Sequence, residues 1–179
     1  MIPTRRATGP AGLVGALLVI SALVAGACGS GDATGAPPPA VVPEGFATAA
    51  VVVVGPDGER LDRCVHLADT PALRARGLMG VTDLGGADGM LFVFDDDTVG
   101  GFWMKNTVLP LSLAYLDTDG AIVSTVDMAP CPAGADCPGY PPAGPYRRAL
   151  EVPQGALASF GLVDGARLEL TGADCALPG

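Results

Sequence analysis

The chain is poor in basic residues and in several side chains that active sites commonly use. Its 179 residues contain ten Lys and Arg against 19 Asp and Glu, one Trp, one His and 5% aromatic residues. This acidic balance repels nucleic acid at long range, so we expect no nucleic-acid partner. A single histidine, His66, and the absence of a Gly-x-Ser-x-Gly motif leave little from which to build a Ser-His-Asp site.

The same scarcity bears on metal ions and cofactors. His66 lies in an alternating segment close to Cys64, where we expect a partly exposed strand histidine. The acidic run Asp95–Asp97 lacks the spacing and the distal Glu of a calcium loop, so we expect a solvated turn there. The sequence therefore indicates neither a bound metal ion nor a cofactor.

The first 27 residues have the composition of an export signal. A basic start with Arg5 and Arg6 precedes an apolar stretch over 11–26, and small residues come directly before Cys28. The run Val24-Ala25-Gly26-Ala27-Cys28 predicts a lipoprotein signal peptide over 1–27, with Cys28 as the lipidated N-terminus. A plain secretory signal and an uncleaved anchor remain open alternatives. No later run reaches the roughly 18 apolar residues of a membrane helix.

Residues 28–45 are rich in Gly, Ser and Pro and predict a flexible linker, which leads into a domain over 46–179. We therefore expect an exported protein that is anchored to the outer face of the cell membrane through lipid on Cys28. The membrane is then its first predicted partner.

Four cysteines follow Cys28, and an even number in an exported domain predicts two disulfides. Three pairings are possible. We favour Cys131–Cys137, which closes a short loop rich in Pro and Gly, and Cys64–Cys175, which joins the first half of the domain to its end. A zinc site is the competing interpretation, but the Cys-x5-Cys spacing does not fit a zinc knuckle.

Short apolar segments between turn residues predict a mainly β domain with two short helices. Thr70 and Pro71 mark the start of a helix over 71–76, and Gly161 ends a second one over 153–160. The strands are expected in a mainly antiparallel sheet, curled or barrel-like. They are predicted over 49–54, 60–68, 89–94, 102–105, 111–116, 121–126, 147–152 and 166–170.

Scarce residue types cluster in 101–107, Gly-Phe-Trp-Met-Lys-Asn-Thr. This stretch holds the only Trp, Trp103, and the only Lys, Lys105. Trp suits binding surfaces because it joins a large apolar face to a polar tip, and a neighbouring Lys can meet an anion. The simpler interpretation is that Phe102 and Met104 face a core. A candidate ligand site combines the cationic and aromatic residues of this stretch with others further along: Arg74, Arg76, Trp103, Lys105, Asn106, Tyr140 and Glu151.

Several of these stretches resemble one protein family in the expected order. They are Thr70-Pro-Ala-Leu-Arg-Ala-Arg-Gly-Leu-Met-Gly80, Gly89-Met-Leu-Phe-Val-Phe94, Phe102-Trp-Met-Lys-Asn-Thr107, Pro110-Leu-Ser-Leu-Ala114 and Ala149-Leu-Glu-Val152. Together they resemble DUF192, a family of small bacterial and archaeal proteins of unknown function. The resemblance implies a compact β-rich, barrel-like domain and brings no catalytic residues with it. Ser112 stands where many members carry Asp.

Three functions follow from these observations. The first is a membrane-tethered envelope binding or accessory domain without catalysis, whose ligand is an anionic small molecule, glycan or peptide carboxylate. The second is a structural partner in an envelope protein complex, which predicts an exposed apolar patch. The third is a small enzyme that uses Lys105 or Glu151 as acid and base, which predicts a strongly shifted pKa in a pocket.

Overall fold

The computed structural model of the chain describes residues 38–178. The predicted signal peptide, Cys28 and the linker up to residue 37 lie outside the described residues. Within 38–178, no helix has both the length and the apolar character needed to cross a membrane. The end of the predicted linker is tied to the domain, because Val41 N donates to Thr82 Oγ1 over 2.8 Å and Glu44 O accepts from Arg76 Nη2 over 2.8 Å.

The described part of the chain is mainly β, as the sequence predicted, with two short helices. The elements are β1 (Ala47–Val54), β2 (Arg60–Ala68), α1 (Pro71–Arg76), β3 (Gly89–Thr98), β4 (Phe102–Trp103), β5 (Leu111–Leu116), β6 (Ile122–Met128), β7 (Gly139–Tyr140), β8 (Tyr146–Pro153), α2 (Leu157–Phe160) and β9 (Arg167–Leu170). Seven strands form one sheet in the order β6-β5-β8-β3-β2-β1-β9, and β4 pairs with β7 in a second, two-stranded sheet.

The large sheet is mixed and does not close into the expected barrel. Strands β2 and β3 run parallel, with Val65 opposite Gly89, whereas the other strand pairs are antiparallel. The edge strands β6 and β9 meet only at an isolated bridge between Ala121 and Arg167. The expectation of a mainly antiparallel sheet therefore holds, apart from one parallel pair, but the expectation that it curls or closes like a barrel was wrong. Hydrophobic alternation reports which face of a strand is buried, but it carries no information on strand direction.

The crossover between the parallel strands covers one face of the sheet. Parallel neighbours cannot be joined by a hairpin, so the chain crosses the sheet through α1 and the loop that follows. Leu78, Val81 and Leu84 of this loop are buried against Met90 and Phe92 of β3, in a core that also includes residues of β5 and β8. A second core lies on the opposite face, where Val51, Leu91 and Leu150 pack with α2 and β9.

Helix α1 forms where its capping residues predict it. Thr70 Oγ1 accepts a hydrogen bond from Leu73 N over 3.2 Å, which satisfies one of the free amides of the first turn. Pro71 fills the first helical position, where its missing N–H costs nothing. The helix ends at Gly77, whose φ of 47° is unfavourable for other residue types. Six residues are short for an isolated helix, so tertiary contacts hold it in place.

Three local predictions differ from the structure. Strand β3 continues through Asp95–Asp97 instead of ending there, and Arg147 Nε donates to Asp97 Oδ1 over 2.9 Å. Helix α2 begins at Leu157 because the residues before it form a turn. His66 is buried rather than partly exposed, with a hydrogen bond of 2.8 Å between Nε2 and Leu84 O.

Both favoured disulfides are present in the structure. Cys64 and Cys175 are bonded across a separation of 111 residues, which fastens the C-terminal segment to β2. Cys131 and Cys137 are bonded across six residues. The two bonds therefore restrain very different lengths of the unfolded chain.

We expect the two disulfides to contribute unequally to stability. Closing a loop of 111 residues removes more conformational entropy from the unfolded chain than closing one of six. The paired change Cys64→Ala/Cys175→Ala should lower the free energy of unfolding by about 5 kcal/mol, and Cys131→Ala/Cys137→Ala by about 2 kcal/mol. Denaturant unfolding of the oxidised proteins measures both values. Equal losses would show that strain or residual structure, not loop length, sets the contribution.

Candidate functional site

The segment 102–105 alternates between the core and the surface. Phe102 is half-buried and packs against the first core, while Met104 is fully buried. Trp103 has 56% of its surface exposed, and Lys105 is also exposed. The simpler interpretation is therefore right for Phe102 and Met104, while their neighbours are presented to solvent. Lys105 Nζ lies 5.1 Å from the centre of the Trp103 ring, within the range of a cation–π contact.

Backbone contacts hold this segment on both sides. Asn106 has a φ of 57°, the only positive φ of a non-glycine residue within 38–178, and its carbonyl accepts from Gly80 N over 2.8 Å. Asn tolerates this left-handed conformation better than most residues. Thr107 O accepts from Cys131 N over 2.9 Å. These bonds tie the segment to the α1 loop and to the Cys131–Cys137 loop.

A buried tyrosine fixes the other end of the segment. Tyr115 Oη accepts from Phe102 N over 3.2 Å and donates to Tyr140 O. Burial raises the pKa of Tyr115 to about 12, so its hydroxyl stays protonated and can donate at neutral pH. The rings of Phe102 and Tyr115 pack edge to face with centroids 5.7 Å apart. Trp103 thus projects from a rigid aromatic support.

The Glu151 side chain lines a small pocket that Trp103 also lines. It lies on β8, flanked by Met90 of β3 and Leu113 of β5, and only 4% of its surface is exposed. The pocket, which we call the Glu151 pocket, encloses about 40 Å³. Its walls are the run from α1 into the following loop together with aromatic and polar side chains of the sheet and of 102–107: Arg74, Ala75, Arg76, Gly77, Leu78, Met79, Phe92, Phe102, Trp103 and Thr107.

Burial raises the pKa of the Glu151 carboxyl to about 8. The cause is desolvation, which disfavours the charged form. The carboxyl is therefore mostly protonated at neutral pH, and it can donate one hydrogen bond and accept others. A buried carboxyl of this kind that faces a pocket is typical of functional sites.

The two α1 arginines line the Glu151 pocket, and each is also held by the protein itself. Arg74 Nη1 donates to Asp69 O and Val93 O, both over 2.7 Å, and its guanidinium lies 4.9 Å from the Phe94 ring centre. Arg76 donates to Glu44 O and lies 4.1 Å from the centre of the Phe46 ring. Each guanidinium has five N–H donors, so both keep donors for a ligand.

Lys105 and Asn106 lie in a neighbouring groove instead. This groove, which we call the Trp103 groove, encloses about 320 Å³ between them and the disulfide loop. Trp103 lines both the groove and the Glu151 pocket, so the two together form one surface, the Trp103 face. Tyr140 lines neither: its Oη accepts from Ala129 N over 3.1 Å, and it supports β4 from behind.

The cations of the Trp103 face have no carboxylate partner within residues 38–178. The salt bridges in this part of the chain join Arg60 and Arg167 to Glu169, and Arg147 to Asp97. Arg74, Arg76 and Lys105 form none. The face therefore concentrates unpaired positive charge in a chain whose formal net charge is −9.

Sequence reasoning missed several residues that line the face. Phe92, Thr107 and Met79 contribute walls of the Glu151 pocket, and Asp136 lies in the Trp103 groove. Phe92 and Met79 are indistinguishable from core residues in a sequence. Thr107, which is buried, could have been predicted, because it ends the same stretch that holds Trp103 and Lys105.

The raised pKa of Glu151 makes stability depend on pH. Between the ordinary carboxyl pKa of 4.5 and about 8, the folded state holds a proton that the unfolded state has lost. Stability should therefore fall as pH rises through this window, by about 1.4 kcal/mol per pH unit from this group. In Glu151→Gln this contribution should vanish.

Thermal unfolding of both proteins between pH 5 and pH 9 measures the effect. The difference between the two curves isolates Glu151, because all other titrating groups are shared. Parallel curves would mean that the folded protein leaves the Glu151 carboxyl with an ordinary pKa.

The comparisons with known proteins agree with this fold. The chain has 30% identity to the crystal structure of a "putative transcription regulator" from Sinorhizobium meliloti 1021, with a TM-score of 0.60 over 72% of this chain and 97% of that one. It has 35% identity to a protein of unknown function from Novosphingobium aromaticivorans DSM 12444, with a TM-score of 0.61 over 75% and 94%. No curated protein matches.

The family model described as DUF192, "Uncharacterized ACR, COG1430", matches residues 52–170, which span β1 to β9 and include every residue of the candidate site. By this match and by the identity to the solved structures, the chain belongs to the DUF192 family.

Proposed function

We propose that this protein is an exported, membrane-tethered binding domain that holds an anionic ligand at the Trp103 face. The observation that carries the proposal is the gathering of Arg74, Arg76 and Lys105, without carboxylate partners among the described residues, around a half-exposed Trp. Tryptophan suits binding surfaces because it joins a large apolar face to a polar tip, and unpaired cations in an acidic protein attract anions.

The geometry supports a ligand with a flat body and an anionic group. Trp103 offers a ring on which a sugar or a planar group can stack. Lys105 Nζ lies over one side of that ring, 5.1 Å from its centre, so the ligand stacks on the other side or takes the place of the ammonium group. Asn106 adds an amide that can both donate and accept. An acidic sugar or a peptide carboxylate meets these requirements.

A nucleic-acid partner fits the face poorly, although the description of the Sinorhizobium relative suggests regulation of transcription. The chain carries 19 Asp and Glu against ten Lys and Arg, and a phosphate backbone requires a basic surface several residues wide. Two arginines at the Glu151 pocket and Lys105 at the neighbouring groove suit a small anion instead.

The buried Glu151 favours a second candidate, a small enzyme in which this carboxyl acts as acid and base. A carboxyl with a pKa near the working pH is suited to proton transfer. Lys105, the other candidate for this role, is exposed and fits it less well. An enzyme would lose turnover in Glu151→Gln while it still binds substrate, which separates this candidate from a binding domain.

Lys105→Gln should weaken binding of an anion at the Trp103 face. The change removes the charge and keeps most of the side-chain length. We expect a loss of about fivefold in affinity, equivalent to about 1 kcal/mol for an exposed charge pair. Trp103 is the only Trp, so its fluorescence reports binding directly in titrations with glucuronate, glucose 6-phosphate and an acetylated dipeptide.

Arg60→Gln is the matched control, because it removes one exposed cation that is paired with Glu169. Glucose serves as the uncharged control for the sugar ligands. Equal affinities in Lys105→Gln and Arg60→Gln, or a flat fluorescence response to every anion, would contradict the proposal.

The membrane tether is a separate prediction. Cys28→Ala should release the full chain from the membrane fraction of cells that export it, because a lipid cannot be attached without the thiol. Immunoblotting of membrane and soluble fractions measures this. Retention of Cys28→Ala in the membrane fraction would indicate an uncleaved anchor instead.

A further inference from the structure

Glu151 is the one carboxyl of the Trp103 face that is shielded from water, and its surroundings determine what it can bind. The lining of the Glu151 pocket is mixed. Apolar walls come from Phe92 of β3, Met79 of the α1 loop, and Phe102 and Trp103 of β4, and polar groups come from Thr107 and the two arginines. Because Glu151 is almost fully buried, an ionised carboxylate without a partner is expensive there, whereas a protonated one is tolerated.

The volume of the pocket limits the ligand to a small end group. About 40 Å³ is far below the roughly 150 Å³ of a cavity that holds benzene, so a sugar ring or an aromatic ring does not fit. A carboxylate group does. Its body would then lie against Trp103 and extend toward the Trp103 groove, which is about eight times larger at about 320 Å³.

We infer that the Glu151 pocket is a subsite for a single carboxylate group, which accepts a hydrogen bond from the protonated carboxyl of Glu151, so that the ligand binds only the protonated form of the site. This inference rests on the proposed function, because it names the group that occupies one part of the same face. Acid and carboxylate share one proton between two oxygens, an arrangement that forms a short, strong hydrogen bond. Arg74 and Arg76 add positive charge at the walls.

The dependence of binding on pH follows from this arrangement. Below the pKa of Glu151, which is about 8 in the free protein, the proton is already present and affinity does not change with pH. Above this pKa, the Glu151 carboxylate must take up a proton before the ligand can bind. Affinity therefore falls about tenfold per pH unit. The bound anion raises the pKa of Glu151 further, because two negative charges in one pocket repel each other.

Other titratable groups near Glu151 do not produce this fall in affinity, which we call the pH step. Tyr115 faces it from β5, and burial raises the pKa of that hydroxyl to about 12. Tyr146 from β8 packs against Tyr115, and burial raises its pKa as well. Arginine stays charged throughout. Lys105 lines the neighbouring groove, so a Lys105→Gln variant shows whether the step depends on it.

Benzoate is a suitable probe, because its ring stacks and its carboxylate is the only polar group. Benzamide has the same shape without the charge. The single indole N–H signal of Trp103 in a nitrogen-15 NMR spectrum reports binding, and the carbon-13 shift of the Glu151 carboxyl reports its protonation in the same sample. Benzoate is titrated into the full chain at pH 6, 7, 8.5 and 9.5.

We expect saturable binding of benzoate with equal affinity at pH 6 and pH 7, and a fall of about tenfold per pH unit once the Glu151 signal titrates. Lys105→Gln should weaken binding and leave the step in place. Glu151→Gln keeps a hydrogen-bond donor but cannot titrate, so its affinity should not change across the range. Benzamide should show no such step.

Different results would overturn the carboxylate subsite and the anion-binding function. Benzoate binding that is independent of pH, that strengthens at high pH, or that keeps its step in Glu151→Gln overturns the proton-coupled subsite alone. Absence of saturable binding for benzoate and for the acidic sugars and peptide overturns the anion-binding function as well. The Glu151 carboxyl titration in the unmodified protein stands even if Glu151→Gln does not fold: a carboxyl that titrates near 4.5 overturns the inference.

Discussion

The parallel pairing of β2 with β3 is the constraint from which the site arises. A parallel pair forces the chain to cross the sheet, and here the crossover carries α1 and the following loop over the face that includes Glu151. Without this crossover, the face would be open to solvent and Glu151 would be an ordinary exposed carboxyl. Gly89, the first residue of β3, lets that strand approach the backbone of Glu151, where any Cβ would collide with its carbonyl oxygen.

The buried carboxyl of Glu151 lowers the stability of the fold at neutral pH. Burying an ionisable side chain without a partner costs free energy, and an apolar residue of similar size would avoid the cost. Other buried polar side chains within 38–178 have at least one partner, although His66 Nδ1 has none. Ser112 donates to Asp127 and accepts from Gly155 N, and His66 contacts Leu84 O. Glu151 differs in that its carboxyl opens into a pocket rather than onto a protein group.

Local sequence signals predicted local structure well and long-range pairing poorly. The bounds of β2 and α1 match the prediction, because alternation and capping residues are read over a few neighbours. Strand direction depends on residues far apart, so the parallel pair and the open sheet were missed. Strand β7 escaped prediction since Gly139 and Tyr140 form a strand only by pairing with β4, inside a loop dense in Pro and Gly.

The candidate site was partly predictable for the same reason. Scarcity of Trp and Lys pointed to Trp103 and Lys105, and the structure places both on the Trp103 face. Tyr140 was a weaker choice, because its hydroxyl is occupied by the backbone. The burial of Glu151 had no local signature: β8 is buried over Ala149–Val152 without alternation, so nothing in its pattern shows which side chain meets a pocket.

Core packing and ligand binding are not competing explanations of the stretch 102–105. Its side chains alternate, with Phe102 and Met104 packed against the core and Trp103 and Lys105 on the outside. Loss of function after a change at Met104 would therefore carry no information on the ligand, because it would also loosen the support. Trp103 and Lys105 contribute little to the core, so their replacement addresses binding directly. Alternate residues anchor the segment and keep it rigid, and this rigidity would reduce the ordering cost of the proposed binding.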